Sequence, residues 1–190
     1  MERKPVPPGS SYFYYPRPIC VVGVRDQARG TSNFVPVVWA SPISSRPPLF
    51  GVCLSPKTYS HGLLMKSGEF TVSFLPWEKV ELVARLGSVS GKDTDKVKAF
   101  SLKLADGEFV KTPYLDAAYV AAECSLVEHR NFGEQTLFIG AVLKIIAKNG
   151  TFDDQGVLRL DRVAPILYVG GNRYVTVDPG TVQFLPGEES

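Results

Sequence analysis

The chain has 190 residues, 21 basic against 19 acidic side chains for a formal charge of +2, and 44% hydrophobic residues. That is enough apolar content for one domain with a sizeable core, and the near balance of charge argues against a nucleic-acid binder, which carries a clustered basic face. No run of about 18 apolar residues occurs, so no membrane-spanning helix is expected, and the three cysteines lie far apart without a Cys-x-x-Cys pair, which predicts buried thiols in a reducing cytoplasm.

The first 18 residues, MERKPVPPGSSYFYYPRP, are rich in proline and aromatics and lack the apolar stretch of a signal peptide. They read as an extended arm lying on the surface or on a partner subunit, because proline density forbids helix there. ICVVGVRD (19–26) reads as a strand. NFVPVVWASPIS (33–44) is β-rich but holds Pro36 and Pro42, which predicts an edge position or a bulge. PLFGVCLS (48–55) and EFTVSFLP (69–76) are further strands. Helices are expected over 59–67, stopped by Gly68, and over 76–87, with a short one around 92–100. Two long strands, 117–129 and 136–148, are joined by RNFGEQ in a hairpin. ILYVGGNRYVTV (166–177) adds two short strands about a Gly-Gly-Asn turn. Many short strands and few helices indicate a mainly β fold, an antiparallel barrel or sandwich.

Two segments hold more short hydrogen-bonding side chains than turns require. In LSPKTYSHGLL (54–64), Ser55 ends a strand while Thr58 or Ser60 caps a helix beside Lys57. Free N–H groups and the helix dipole attract an anion there, and a phosphate monoester is the natural guest. The same residues also make an ordinary N-cap with a solvated lysine. WASPISS (39–45) sets hydroxyls beside an indole. If both segments end strands on one side of a barrel, the rim suits a ligand with a phosphate, a polyhydroxyl chain and a flat ring. The two histidines have no partners at zinc-site spacing, and no metal site is expected.

These residues resemble the flavin reductase-like, FMN-binding split-barrel family, most nearly its flavoredoxin branch. The pattern is Asn33 ahead of Trp-Ala-Ser-Pro-x-Ser (39–44), Pro-Pro-Leu (47–49), Ser-Pro-x-x-Tyr-Ser-His (55–61) and Ser-Gly-Glu-Phe (67–70). The likeness continues more loosely through most of the chain, which makes residues 1–190 a single domain with 1–18 as its arm. It implies a Greek-key split barrel that dimerises with FMN near the subunit interface. On the matching positions it implies flavin contacts by Asn33, Trp39, Ala40 and Ser41, and a ribityl-side loop at Ile43 and Ser44. It places Ser55, Lys57, Thr58, Ser60 and His61 at the phosphate-side turn. Lys96, with Lys92 and Lys98 close by, falls where a family lysine reaches the cofactor, and His129 and Tyr168 flank the flavin. Where the family often has Gly-Asp-His, this chain has Glu134-Gln135, which leaves the nicotinamide contact open.

The activity so implied is hydride transfer from NADH or NADPH to FMN, or electron relay through bound FMN. No protein nucleophile is needed, since the cofactor carries the chemistry. The alternative is an FMN-binding electron carrier reduced by a redox protein and not by NAD(P)H.

Overall fold

The computed structural model describes residues 3–9 and 12–185, so residues 1, 2, 10 and 11 of the expected arm lie outside it. Strands β1 (Arg17–Pro18), β2 (Cys20–Asp26), β3 (Thr31–Val37), β4 (Ala40–Ser45) and β5 (Pro48–Leu54) lead to helix α1 (Tyr59–Ser67). Strand β6 (Glu69–Phe74), a 3-10 turn (Trp77–Lys79), and helices α2 (Val80–Ser88) and α3 (Lys96–Ala99) follow. The two-residue strands β7 (Leu104–Ala105) and β8 (Tyr114–Leu115) precede the long hairpin β9 (Val120–Phe132) and β10 (Gln135–Ala147). Strands β11 (Leu167–Gly170) and β12 (Arg173–Val175) complete a small sheet with β1.

The main sheet is antiparallel with the order β3-β2-β6-β9-β10-β5-β4. Its two edges, β3 and β4, are consecutive in the chain and joined only by Val38 and Trp39. Such a link reaches about 11 Å at full extension. A flat sheet of seven strands would hold its edges about 29 Å apart. The sheet therefore rolls until β3 comes beside the β4–β5 hairpin, whose ladder extends onto the link where Cys53 N–H donates to the Trp39 carbonyl at 2.8 Å. Because β3 and β4 do not pair along their length, the barrel is split at this seam.

Side-chain alternation on β2 explains its unbroken apolar run. Cys20, Val22 and Val24 point into the barrel with Val52, Leu54, Phe70, Val72, Cys124 and Phe138. Ile19, ahead of the strand, and Val21 point the other way, into a second cluster with Phe34, Leu75, Val83, Leu86, Leu115 and Ile166. A strand buried on both faces has no polar alternation to show. Helix α1 sends Leu63 and Leu64 into the barrel cluster. Thr58 caps its start, and Gly68, in the left-handed conformation at φ 65°, ends it.

Several expected boundaries shift. The 33–44 run is two strands broken at Val38–Trp39, so Trp39 and Ala40 open a strand at the seam and do not close one. Pro36 and Pro42 both sit on edge strands, and a register shift lies between Pro42 and Ser44. The helix expected over 76–87 begins as a 3-10 turn and becomes α-helical at Val80. The long strands run Val120–Phe132 and Gln135–Ala147, the turn at Gly133-Glu134 setting where the first ends and the second begins. Cys20 and Cys124 are buried as expected, whereas Cys53 is only half-buried. Two neighbours on α1 test this packing. Leu64, fully buried, is expected to lose about 2–5 kcal/mol of stability as Leu64→Ala. Met65, 43% exposed, is expected to change it by no more than about 0.5 kcal/mol as Met65→Ala. Urea denaturation reads both, and equal losses would contradict the placement of α1.

Candidate functional site

The seam brings Asn33, Lys57, Thr58, Ser60 and Lys96 together around one cleft of about 310 Å³. Asn33 reaches it from β3, the next three from the start of α1, and Lys96 from the start of α3. Ser55, just past β5, accepts from the Thr58 N–H at 2.9 Å and the Thr58 hydroxyl at 2.7 Å through its carbonyl. That tight turn aims α1 at the cleft. Thr58 Oγ1 in turn accepts from His61 N–H, while the other first-turn N–H groups are available to an anion. Asn33 Nδ2 donates to the Ser60 hydroxyl at 2.7 Å, a buried bond that ties β3 to α1 across the seam. A cation, the Ser60 hydroxyl, whose proton is not used by Asn33, and the start of a nine-residue helix form a donor set that fits a phosphate monoester.

Trp39, Ala40, Ser41 and Ile43 line a second cleft of about 260 Å³ with Tyr14, Arg17, Gly51, Cys53 and Leu137. The N-terminal arm holds this cleft from above. Trp39 Nε1 donates to the Tyr15 hydroxyl at 3.2 Å, and Arg17 Nη2 donates to the Ala40 carbonyl at 3.0 Å. Burial pushes the Tyr15 phenol up from its ordinary pKa and the Cys53 thiol likewise. Ser41 is exposed, its hydroxyl turned to the Pro42 carbonyl. Ser44 lies in the β4–β5 turn region, accepting from Arg46 N–H, and lines neither cleft.

The two histidines stand on either side of Phe138. The His61 ring meets it edge-on at 5.1 Å, and the exposed His129 ring stacks on it at 6.0 Å. His61 Nε2 lies 2.9 Å from Thr136 Oγ1, whose one proton goes to Asn131 Oδ1 at 2.7 Å. With that proton spent, His61 must donate through Nε2 and keeps Nδ1 as an acceptor. Burial lowers its pKa, and the neighbouring His129 charge lowers it further, which favours the neutral ring. Tyr168 is separated from these residues. It borders a third cleft of about 580 Å³ with Val38, Arg85, Ser88 and Tyr174, and this cleft meets the first at Gly87 and Ser88.

Of the three candidate lysines, Lys96 is the one at the cleft. It is 3% exposed, and its ammonium donates to the Phe34 carbonyl at 2.9 Å and the Leu86 carbonyl at 2.6 Å. Lys98 instead pairs with Asp95 at the surface. Two contributors were missed by sequence reasoning. Residues Ser88 to Gly91 form a wall of the first cleft, and Tyr15 and Arg17 cover the second. The aromatic run 12–15 was a visible signal for the arm. The 88–91 loop carries only small residues and a glycine, with nothing to mark it.

Residues 12–177 match the family described as "Flavin reductase like domain". The fold resembles the FMN-binding protein of Thermus thermophilus solved with bound 1-cyclohex-2-enone, at 36% identity and TM-score 0.84 over 98% of this chain and 99% of that one. It also resembles the flavoredoxin of Desulfovibrio vulgaris (Miyazaki F), at 27% identity and TM-score 0.84 over 100% and 98% of the two chains. An uncharacterized protein of Archaeoglobus fulgidus is 32% identical over 113 residues, 60% of this chain but only 64% of that relative's length. The fold class is thus a split barrel of the flavin-linked kind. The chain belongs to the flavin reductase-like family.

The buried Lys96 makes a pH prediction. Burial lowers its pKa to about 8 in the folded protein, against about 10.4 for an unfolded lysine. Between those values the unfolded chain binds the extra proton, so this group's contribution to stability rises with pH. Urea unfolding of the wild type and of Lys96→Met is expected to show the difference moving in the wild type's favour from pH 8 to pH 10. A difference moving the other way would mean that the two carbonyls, and not burial, dominate.

Proposed function

We propose that the chain binds FMN across the seam and acts as an FMN-dependent oxidoreductase, with NADH or NADPH as hydride donor. The observation that carries this reading is the donor set around the first cleft. Lys57, the Ser60 hydroxyl and the N-terminus of α1 converge where the barrel closes, three to six residues past the end of β5, the strand that bounds the Trp39 cleft. On this reading Lys57 and the helix start take the phosphate, and Asn33 and the 88–91 loop bound it. Trp39, Ala40 and Ser41 take the ring side, with Ile43 and Ser44 along the ribityl chain. His61, His129 and Tyr168 lie further out around the flavin.

Bound FMN supplies the hydride-accepting ring, and the protein supplies stacking, orientation and exclusion of water. The Trp39 indole is anchored by Tyr15, so the surface it offers is fixed before a ligand arrives. The neutral His61 imidazole offers an acceptor at Nδ1, and Phe138 between the histidines holds both ring planes. The work of these residues is to bring two flat rings within about 3–3.5 Å of each other.

A second copy of the chain fits the same reading. Val127, Phe132, Leu143 and Ile145 on the β9–β10 hairpin are each more than two-fifths exposed, a density of exposed apolar side chains that a subunit interface would cover. The competing reading, an FMN-binding carrier reduced by a redox protein, draws support from the likeness to flavoredoxin over the whole chain and from Glu134-Gln135 where the hairpin turn meets β10.

Two experiments test the proposal. Anaerobic mixing of the FMN-loaded protein with NADH or NADPH is expected to bleach the flavin absorbance. Bleaching by a reduced ferredoxin-type protein alone would favour the carrier, and no flavin uptake at all would defeat both. Lys57→Ala is expected to weaken FMN binding by about tenfold or more, since a charge-assisted bond is worth about 1.5–3 kcal/mol. Riboflavin, which lacks the phosphate, should bind almost unchanged, and equal losses would place Lys57 away from the phosphate.

A further inference from the structure

Arg29 stands in the β2–β3 turn, where an arginine is ordinarily solvated. Its side chain is about half exposed, yet both terminal nitrogens are spent on backbone far along the chain. Nη1 donates to the Gly91 carbonyl at 3.0 Å and Nη2 to the Lys92 carbonyl at 2.8 Å. The guanidinium is itself oriented from two sides. Asp26, 2% exposed, accepts the Arg29 backbone N–H at 3.2 Å, and its other oxygen lies 3.7 Å from Arg29 Nε. That second oxygen also accepts from the Tyr59 hydroxyl at 2.5 Å, and the guanidinium carbon stands 5.2 Å from the Tyr59 ring centre. A planar fork held by a buried carboxylate and an aromatic face has little freedom left.

The loop that Arg29 grips is a wall of the phosphate cleft, which it borders from Leu86 to Gly91. Gly91 rests directly on Asn33, so closely that a Cβ there would come within 2.0 Å of Asn33 Oδ1. Asn33 passes the contact on to Ser60 in the first turn of α1. The chain of contacts runs from Asp26 and Tyr59 through Arg29 to the 91–92 carbonyls, then through Gly91 and Asn33 to Ser60. Tyr59 is itself the first residue of α1, so the circuit closes on the helix whose start faces the cleft.

We infer that Arg29 is a positioning residue for the cleft: by holding the Gly91 and Lys92 carbonyls it keeps the 88–91 loop seated on Asn33 and their negative ends turned away from a bound phosphate. Arg29 does not line the cleft and does not touch the ligand. The inference rests on the FMN reading above and assigns it a determinant of phosphate affinity.

Fluorescence titrations of FMN and riboflavin against the wild type, Arg29→Met and Arg29→Lys test it, with thermal melts to verify folding. The wild type is expected to prefer FMN over riboflavin. Arg29→Met should weaken FMN by about tenfold, the worth of a charge-assisted contact, and riboflavin by less than about threefold. Arg29→Lys should fall between, since one ammonium cannot serve both carbonyls as a fork does. An unchanged FMN-to-riboflavin ratio in Arg29→Met overturns the positioning role and leaves the FMN reading standing. Wild-type protein that binds neither flavin overturns that reading and this inference with it. If Arg29→Met does not fold, Arg29→Lys decides: a ratio lowered about threefold or more supports the role, and an unchanged ratio ends it.

Discussion

Everything at the seam depends on the shortness of one link. Val38 and Trp39 alone connect the first and last strands of a seven-stranded sheet, so the sheet has no way to lie flat. Rolling it up places Asn33 of one edge strand beside Ser60, which follows the hairpin of the other edge. It also leaves the two edges unable to pair fully, and the gap is where the clefts open. A site built this way needs no dedicated scaffold. Its geometry follows from closure, and the hydroxyl-rich segments occupy the places that closure leaves unpaired.

The two lysines of the first cleft show how position divides labour between like charges. Lys57 is exposed beside a helix start and offers an ammonium that a ligand can reach. Lys96 is sunk behind the wall and gives its protons to two backbone carbonyls, one at the end of α2 and one on β3. The first acts on a ligand, and the second fastens α2, α3 and β3 together while adding positive potential to the floor of the cleft. Desolvation makes the second charge expensive, which is why its pKa falls.

Features set by neighbouring residues were legible in the sequence, and those set by distant ones were not. Helix α1 lies on its expected residues, 59–67, because Thr58 and Gly68 are local start and stop signals. The strands were visible in their β-branched runs, but the break at Val38–Trp39 was not, since no glycine or proline stands there and the cause is closure of the whole sheet. The two-residue strands β1, β7 and β8 leave no periodicity to read. For the site, the two motif segments were legible as hydroxyl-rich, and each lines a cleft of its own, 57–60 the first and 39–43 the second. The 88–91 wall escaped notice because what holds it, Arg29 and Asn33, lies some sixty residues earlier. The sequence reads the arm as lying on the surface or on a partner subunit, and its anchorage on Trp39 and Ala40 needed the fold.

Strand β2 has a further significance. Its even residues belong to the barrel cluster, while Val21 and the preceding Ile19 belong to the cluster under α2. The two clusters thus share a wall one residue thick, and neither can lose its order while the other keeps its own. A domain whose two cores are the opposite faces of one strand melts as a single cooperative unit. The β9–β10 hairpin is tied into the same unit, backed by β6 along Val120–Ser125 and by β5 along Thr136–Ala141. The molecule is therefore built around a double-sided centre, an arrangement fixed by the alternation of side chains along seven residues.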